Sequence, residues 1–326
     1  MIKFYVSNII NKINTLPINQ SNFPYELFDK NIIKEIELIN NYKYKLRTLL
    51  GYKIEKEKYI IENIFSKKKN SYIHINLSLL HYFYYIKNNT KIKSQEKINL
   101  IIIGKKIKSH LYIIDICNKD IFPNSYKKLL NTDSFYNIQT PVDINERLLF
   151  LENELSSANS TAIKFKKLLR TGKYQLSFRG DSYNSYLAVK YATKYAFSYN
   201  PKYKNFDKSG GDCTNFVSQC LHAGNIPLTN TWKPYSNSWI RVNDLYNYLI
   251  NNKIGIDVTS KNDYREGSII QFFSNQKGYF SHSGIITKSL DYGEYLYTCH
   301  SYDKLNFPLS EIFPFMYDKI RVIQPI

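Results

Sequence analysis

The chain has 326 residues, of which 43% are apolar, and it carries a formal net charge of +18. This apolar content argues against a disordered protein, and no apolar run reaches the roughly 18 residues that a membrane-spanning helix needs. An excess of lysine and arginine of this size is typical of proteins that bind nucleic acid or another anionic polymer.

The positive charge is concentrated in the first part of the chain. Residues 1–180 hold 30 basic and 15 acidic residues, whereas residues 181–326 hold 15 and 12. Only 7 of the 45 basic residues are arginine, which nucleic-acid-binding proteins use for bidentate contacts. The codon bias of an AT-rich genome therefore explains the charge better than nucleic-acid binding does.

Residues 26–50 predict an amphipathic helix that Gly51 can end. Lys34, Glu35 and Glu37 lie off its apolar face. The face itself is formed by Ile32, Ile36, Ile39, Leu46 and Leu49.

Three strands are predicted next, and together they indicate a small antiparallel meander packed on a helix. Residues 72–79 alternate strictly between apolar and polar side chains, which predicts a half-buried strand. The apolar segments 98–103 and 110–117 predict the other two strands. The lysine run Lys67–Lys69 indicates a solvated loop rather than a binding patch.

A long helix is predicted over residues 144–170, with a start signal at Asp143 and Glu146 and an end at Gly172. A domain boundary is predicted near residues 172–182. We therefore expect a basic α+β domain over residues 1–180 and a second domain over residues 181–326.

Neither a disulfide framework nor a zinc ribbon is predicted, because the four cysteines include no CxxC pair. No metal and no cofactor are expected. The first residues, MIKFYVSNIINKIN, make a poor signal peptide, since their apolar stretch is short and no small-residue cleavage site follows.

Cys213 is the candidate nucleophile. It follows the turn-forming pair Gly210-Gly211 and Asp212, a natural N-cap, so it lies in the first turn of a helix. Free backbone N–H groups and the positive end of the helix dipole stabilise a thiolate there and could hold an oxyanion. Cys220 lies two turns further along the helix, and we expect it to be a core residue.

Two histidines are candidates for the base. His282 opens the predicted strand 281–287 and His300 follows the strand 294–299, and a hairpin centred on Asp291 would place the two side chains opposite each other. His282 would then deprotonate Cys213, and His300 would orient the His282 ring.

Several alternatives stay open at this point. Asp303 is the second candidate for the orienting residue, and a zinc site of Cys213, His282 and His300 lacks the short ligand spacing that usually marks one. Three further side chains are candidates for substrate binding. Asp212 precedes the nucleophile, Asn215 either polarises the cleft or lies on the helix surface, and Trp239 either lines the cleft or anchors the core.

The second half resembles a known family in the segments YLAVKYATKYAFSYNPKY, GGDCTNFVSQCLHAG, SNSW, SHSGIIT and CHSYD. Over residues 183–326 it is similar to the putative amidase domain of Gram-positive bacteria, within the papain-like superfamily that includes NlpC and CHAP enzymes. The resemblance implies a cysteine–histidine hydrolase of amide bonds in peptidoglycan, with Cys213 as nucleophile and His282 as base. His300 matches the position of the third polar residue.

The expected architecture is α+β, with a papain-like domain in which the nucleophile helix packs on an antiparallel sheet, preceded by the small α+β domain. The resemblance also implies a secreted or cell-surface location. The alternative function is a catalytically silent binding module, whose basic half would hold an anionic cell-wall polymer.

Overall fold

The computed structural model describes residues 2–13, 24–108, 110–168, 183–261, 264–290 and 294–326. The chain forms two compact units. The N-terminal unit comprises the chain up to Lys91 together with Lys97–Ala162, and the C-terminal unit comprises Ile92–Glu96 together with Ile163–Ile326. The predicted boundary near residues 172–182 lies outside the described residues.

The described residues of the N-terminal unit form four antiparallel strands in the order β1-β2-β3-β4 and four α-helices. The helices are α1 (Ile2–Ile13), α2 (Lys30–Leu50), α3 (Pro123–Asn131) and α4 (Ile144–Leu168). The strands are β1 (Lys53–Lys69), β2 (Tyr72–Lys87), β3 (Thr90–Ile107) and β4 (His110–Asn118). The predicted helices and strands of this half are present, although β2 and β3 are much longer than their apolar patterns indicated.

The apolar face of α2 packs on the sheet, as its periodicity predicts. Asp29 accepts a hydrogen bond from the Asn31 backbone at its start, and Gly51 ends the helix at a φ of 71°. Glu35, predicted to lie off the buried face, is instead buried against Arg147 of α4. The Arg147 guanidinium also binds Asp115 of β4 at 2.8 Å, which compensates for the burial of the charges.

The lysine run Lys67–Lys69 ends strand β1 rather than lying in a loop. These side chains are exposed because β1 lies at the edge of its sheet. An exposed edge strand lacks the alternating pattern that identifies a half-buried one, which is why the sequence did not indicate it.

The C-terminal unit packs four helices on an antiparallel sheet. Its helices are α5 (Ser185–Tyr195), α6 (Cys213–Ala223), α7 (Asn237–Ile240) and α8 (Val242–Asn251). Its strands are β5 (Gly255–Asp257), β6 (Ile269–Ser274), β7 (Tyr279–Leu290), β8 (Glu294–Cys299), β9 (Lys304–Pro308) and β10 (Ile320–Pro325). The sheet order is β9-β8-β7-β6-β10-β5, and the Ile92–Glu96 segment of β3 pairs with the outer side of β9.

Helix α6 lies between the other helices and the centre of this sheet. Its Phe216, Val217 and Leu221 are fully buried, and they join Ala188 and Ala192 of α5 in one core. The small residues of α5 allow this close approach, as the sequence predicted. The fold is α+β with antiparallel sheets, and no helix among the described residues is long and apolar enough to cross a bilayer.

Candidate active site

Cys213 is the first residue of α6, directly after a glycine turn. Gly210 and Gly211 have φ angles of 109° and 110°, a region that other residues rarely adopt. A Cβ at Gly211 would lie 3.2 Å from the Ser301 hydroxyl, which itself accepts a hydrogen bond from the Asp212 backbone N–H at 2.6 Å. The turn therefore needs glycine, and it presents the thiol at the start of the helix.

The Cys213 thiol is 8% exposed and lies 3.8 Å from the Thr214 hydroxyl. Burial raises the pKa of the thiol, and hydrogen bonds from Thr214 and from the backbone of Ser283 offset only part of this effect. The sequence predicted a stabilised thiolate from the helix dipole. The structure favours a neutral thiol, because the loss of hydration outweighs the hydrogen bonds to the sulfur.

His282 lies on β7, opposite Phe272 of β6. Its ring is packed among Phe272, Tyr302 and Tyr317, with centroid distances of 5.6, 5.4 and 6.2 Å. Burial, helped by the charges of Lys304 and Lys277, lowers the pKa of His282 to about 3. The resting imidazole is therefore neutral.

One nitrogen of His282 has no hydrogen-bond partner in the described part of the chain. The Nε2 atom is buried, and no described residue donates to it or accepts from it. A buried polar atom in this state costs about 1–3 kcal/mol of stability, so its retention needs a reason.

The start of α6 packs against the strand that carries His282. The Thr214 and Ser283 hydroxyls are 3.3 Å apart, and Ser283 also approaches the Cys213 thiol through its backbone. Within the described part of the chain, no hydrogen bond joins the Cys213 thiol to the His282 ring. The structure therefore brings the nucleophile helix to the base strand without closing the contact between the two reactive groups.

The register of the β7–β8 hairpin differs from the predicted one. Opposition of His282 and His300 requires Ile285 to pair with Tyr297, but Ile285 pairs with Thr298. The strands also carry a bulge between Ile286 and Lys288, and bulges shift register. The predicted turn centre, Asp291, lies outside the described residues.

His300 binds two acceptors instead of His282. Its Nδ1 lies 2.7 Å from an Asp212 carboxylate oxygen, and its Nε2 lies 2.8 Å from the Tyr195 carbonyl. A carbonyl and a carboxylate both accept hydrogen bonds, so the ring donates from both nitrogens as an imidazolium paired with Asp212. Both nitrogens are thereby occupied, which leaves His300 free neither to orient His282 nor to hold a metal.

The three predicted substrate-binding residues lie in a buried network behind the nucleophile. Asp212 accepts hydrogen bonds from the Phe206 backbone at 2.9 Å and from the Asn215 amide at 2.8 Å. The Asn215 carbonyl in turn accepts the Trp239 indole N–H at 2.8 Å. Trp239 is 0% exposed, so it is an anchor of the core rather than a wall of the cleft.

Asp303, the second candidate for orienting His282, accepts a hydrogen bond from the Tyr199 hydroxyl at 3.2 Å. The ring contacts of His282 among the described residues are made by Phe272, Tyr302 and Tyr317. Tyr302 lies within the CHSYD segment, but its sequence position did not indicate that it contacts His282.

The comparisons with known proteins match the part of the chain that contains the candidate site residues. Residues 182–323 match the family described as "Putative amidase domain", which confirms the resemblance seen in the sequence. All the candidate site residues lie within this match.

Two relatives from Bacillus subtilis (strain 168) are the uncharacterized proteins YjcM and YhbB. The chain is 33% identical to YjcM over 137 residues, which is 39% of this chain and 32% of YjcM. It is 35% identical to YhbB over 121 residues, or 33% of this chain and 38% of YhbB. The chain thus spans about a third of each relative, and no solved structure matches it. Residues 182–323 are therefore similar to the family described as a putative amidase domain.

Proposed function

We propose that the C-terminal unit is a cysteine-dependent amide hydrolase of papain-like fold, with Cys213 as nucleophile and His282 as general base. The observation that carries the proposal is the packing of the Cys213–Thr214 turn against Ser283, the residue that follows His282 on β7. The buried thiol thus contacts the neighbour, along the strand, of a buried histidine whose Nε2 has no hydrogen-bond partner among the described residues.

The first step is attack of the Cys213 sulfur on the amide carbon. His282 takes the thiol proton as the carbon–sulfur bond forms, and the carbonyl electrons move to the oxygen. The first-turn N–H groups of α6 have no acceptor within the helix, so they are available to the oxyanion. The unpaired nitrogen of His282 provides a site for the proton.

Collapse of the tetrahedral intermediate breaks the carbon–nitrogen bond. The His282 imidazolium gives its proton to the leaving amine, which departs and leaves a thioester on Cys213. His282, neutral again, takes a proton from water, which attacks the thioester carbon. The carboxylic acid is released, and the proton returns to the thiol.

The neutral Cys213 thiol and the neutral His282 imidazole of the free enzyme determine when the proton moves. Burial disfavours the thiolate of Cys213 and the imidazolium of His282, so the free enzyme does not hold a preformed ion pair. The proton then moves only during attack, when the developing charge on the substrate oxygen compensates the new charge on His282. Catalysis should therefore fall with decreasing pH only when His282 becomes protonated.

We propose peptidoglycan as the substrate, cut either at the sugar–peptide link or within the stem peptide. The test is a digest of purified peptidoglycan with the full chain, followed by mass analysis of the fragments. Cleavage by the wild type and none by Cys213→Ala supports the proposal. Cys220→Ala is the matched control, because Cys220 lies on the same helix but is buried in the core. Equal cleavage by wild type and Cys213→Ala contradicts the proposal.

A second candidate function is binding of an anionic cell-wall polymer by the N-terminal unit. It is favoured by six lysines on β1 against three glutamates, with the three lysines of Lys67–Lys69 all exposed. Binding that weakens steeply with salt and survives Cys213→Ala supports it. Loss of binding when Lys67–Lys69 are changed to glutamine would locate it on β1, and no salt-dependent binding by the full chain would exclude it.

A further inference from the structure

The turn between β8 and β9, residues 300–303, contacts both parts of the candidate active site. Its Ser301 hydroxyl accepts the backbone N–H of Asp212, the residue directly before the nucleophile, at 2.6 Å. The ring of the next residue, Tyr302, lies nearly perpendicular to the His282 ring, with a centroid distance of 5.4 Å. Two consecutive residues of one turn therefore contact the start of the nucleophile helix and the base.

Ser301 makes its contact from a strained backbone conformation. Its φ is 73°, in the left-handed region that residues with a Cβ rarely adopt. Such strain persists where surrounding contacts impose it, and it is common at active sites. The Ser301 hydroxyl also donates to Asp207 at 3.2 Å, so it binds the loop before the nucleophile twice. A glycine would adopt this φ without strain but could not accept the Asp212 N–H.

Tyr302 is held between the nucleophile loop and the base. Its carbonyl accepts a 3.7 Å hydrogen bond from the buried Cys299 thiol. His300, at the start of the same turn, binds the Asp212 carboxylate at 2.7 Å. Tyr302 is half-buried, whereas His282 is only 4% exposed, so the tyrosine ring covers part of the base.

We propose that Ser301 and Tyr302 are positioning residues that couple the nucleophile to the base. Ser301 fixes the start of the nucleophile helix through the Asp212 N–H. Tyr302 holds the His282 ring in the orientation from which it takes the thiol proton. No hydrogen bond joins Cys213 to His282 among the described residues, so their separation depends on contacts of this kind. The proposal rests on the proposed function, because it needs His282 to activate Cys213, but its effect on the thiol can be measured without amide cleavage.

The test measures two rates with the full chain: turnover of a synthetic amide, and alkylation of Cys213 by iodoacetamide, followed by mass analysis of the labelled peptide. Ser301→Ala should lower kcat about 10- to 100-fold with little change in KM, since a displacement of about 1 Å has an effect of this size. The alkylation rate should fall as well. Tyr302→Ala should lower both rates, whereas Tyr302→Phe keeps the ring and should keep both. Unchanged rates in Ser301→Ala or in Tyr302→Ala overturn the proposal.

Ser301→Gly separates positioning from stability. It removes the same hydroxyl as Ser301→Ala but adopts the φ of 73° without strain, so it should have the higher melting temperature of the two. A positioning role predicts equal losses of kcat in the two variants. A kcat that follows the melting temperature overturns the proposal. If Ser301→Ala does not fold, Ser301→Gly supplies the comparison with the wild type.

The double variant Ser301→Ala with Tyr302→Ala tests whether the two contacts control one separation. If they do, its kcat loss is smaller than the product of the two single losses, because the second change disturbs a geometry that is already lost. A loss equal to the product means that the residues act independently, which contradicts the coupling.

Ser268→Ala is the matched control, because Ser268 also accepts a backbone N–H, that of Arg265 at 3.2 Å, and donates to Gln324. It should leave both rates unchanged. His282→Asn distinguishes the two possible failures. Alkylation of this variant at the wild-type rate contradicts the proposed function, and the positioning proposal with it. Slow alkylation of His282→Asn together with wild-type rates in Ser301→Ala and Tyr302→Ala contradicts the positioning proposal alone.

Discussion

The two histidines of the C-terminal unit lie in opposite environments. His300 donates from both nitrogens, to Asp212 and to the Tyr195 carbonyl, whereas the buried Nε2 of His282 has no partner among the residues that the structure describes. The first arrangement stabilises the fold, and the second costs stability. Under the proposed mechanism, the satisfied hydrogen bonds of His300 belong to the scaffold of this site, and the unsatisfied Nε2 of His282 belongs to its chemistry.

The largest effect is expected at the base. His282→Asn should lower the cleavage rate by about 10²–10⁴-fold, because it removes the group that accepts the thiol proton. The melting temperature should fall less than in His300→Gln, since no described residue forms a hydrogen bond with the His282 Nε2 atom. Rates on a synthetic amide and a thermal melt measure both quantities, and a retained rate would count against His282 as the base.

In contrast to His282→Asn, His300→Gln should affect stability more than the cleavage rate. It leaves the buried Asp212 carboxylate without its cationic partner, so the free energy of unfolding should fall by about 3–5 kcal/mol. Urea denaturation measures the loss. Asp212→Asn in the same chain should restore part of it, because the unpaired charge is then gone. A larger loss in the double variant than in His300→Gln would show that the pair is not the source of the stability.

The pH dependence of stability should sharpen the contrast. Burial lowers the pKa of His282 from 6.5 to about 3, so the unfolded chain binds this proton more readily than the folded one. The stability that depends on a neutral His282 is fully present above pH 6.5 and is lost as the pH falls toward 3. The free energy of unfolding then changes by at most about 1.4 kcal/mol per pH unit. His282→Phe should flatten this part of the curve in urea titrations. An unchanged slope would mean that other groups cause it.

The smallest effect is expected in the network behind the nucleophile. Trp239→Phe removes the 2.8 Å hydrogen bond to Asn215 and should lower the free energy of unfolding by about 1 kcal/mol beyond the loss of ring volume. Trp232→Phe is the matched control, because its indole makes only a 3.3 Å hydrogen bond to Ser218. Equal losses in the two variants would show that the Asn215 contact adds nothing.

The sequence predicted those parts of the site that depend on local rules. The glycine turn, the helix that starts at Cys213 and the strand that carries His282 follow from turn chemistry and apolar patterns within a few residues of each other. The structure bears out the elements of this region, and the catalytic roles of the two residues stay predictions.

The residues that contact the two histidines could not be predicted from local sequence patterns. The Asp212–His300 contact joins residues 88 positions apart, and one bulge in the hairpin changes which residue faces which. Glu96 and Lys304, which form a 3.3 Å ion pair, are 208 positions apart, and nothing in the pattern around either residue indicates the other. Such contacts are set by tertiary packing, so local periodicity contains no signal for them.

Loss of strand β3 would expose strand β9 in a shortened form of this protein. Its first residues cover the outer side of β9, so β9 is an interior strand of the C-terminal unit. A chain that began at residue 183 would turn β9 into an open edge with unpaired N–H and C=O groups, which invites strand addition between copies. Truncation to the region that matches the family would therefore cause self-association through β9, and the first sign of it would be oligomers and precipitate during purification.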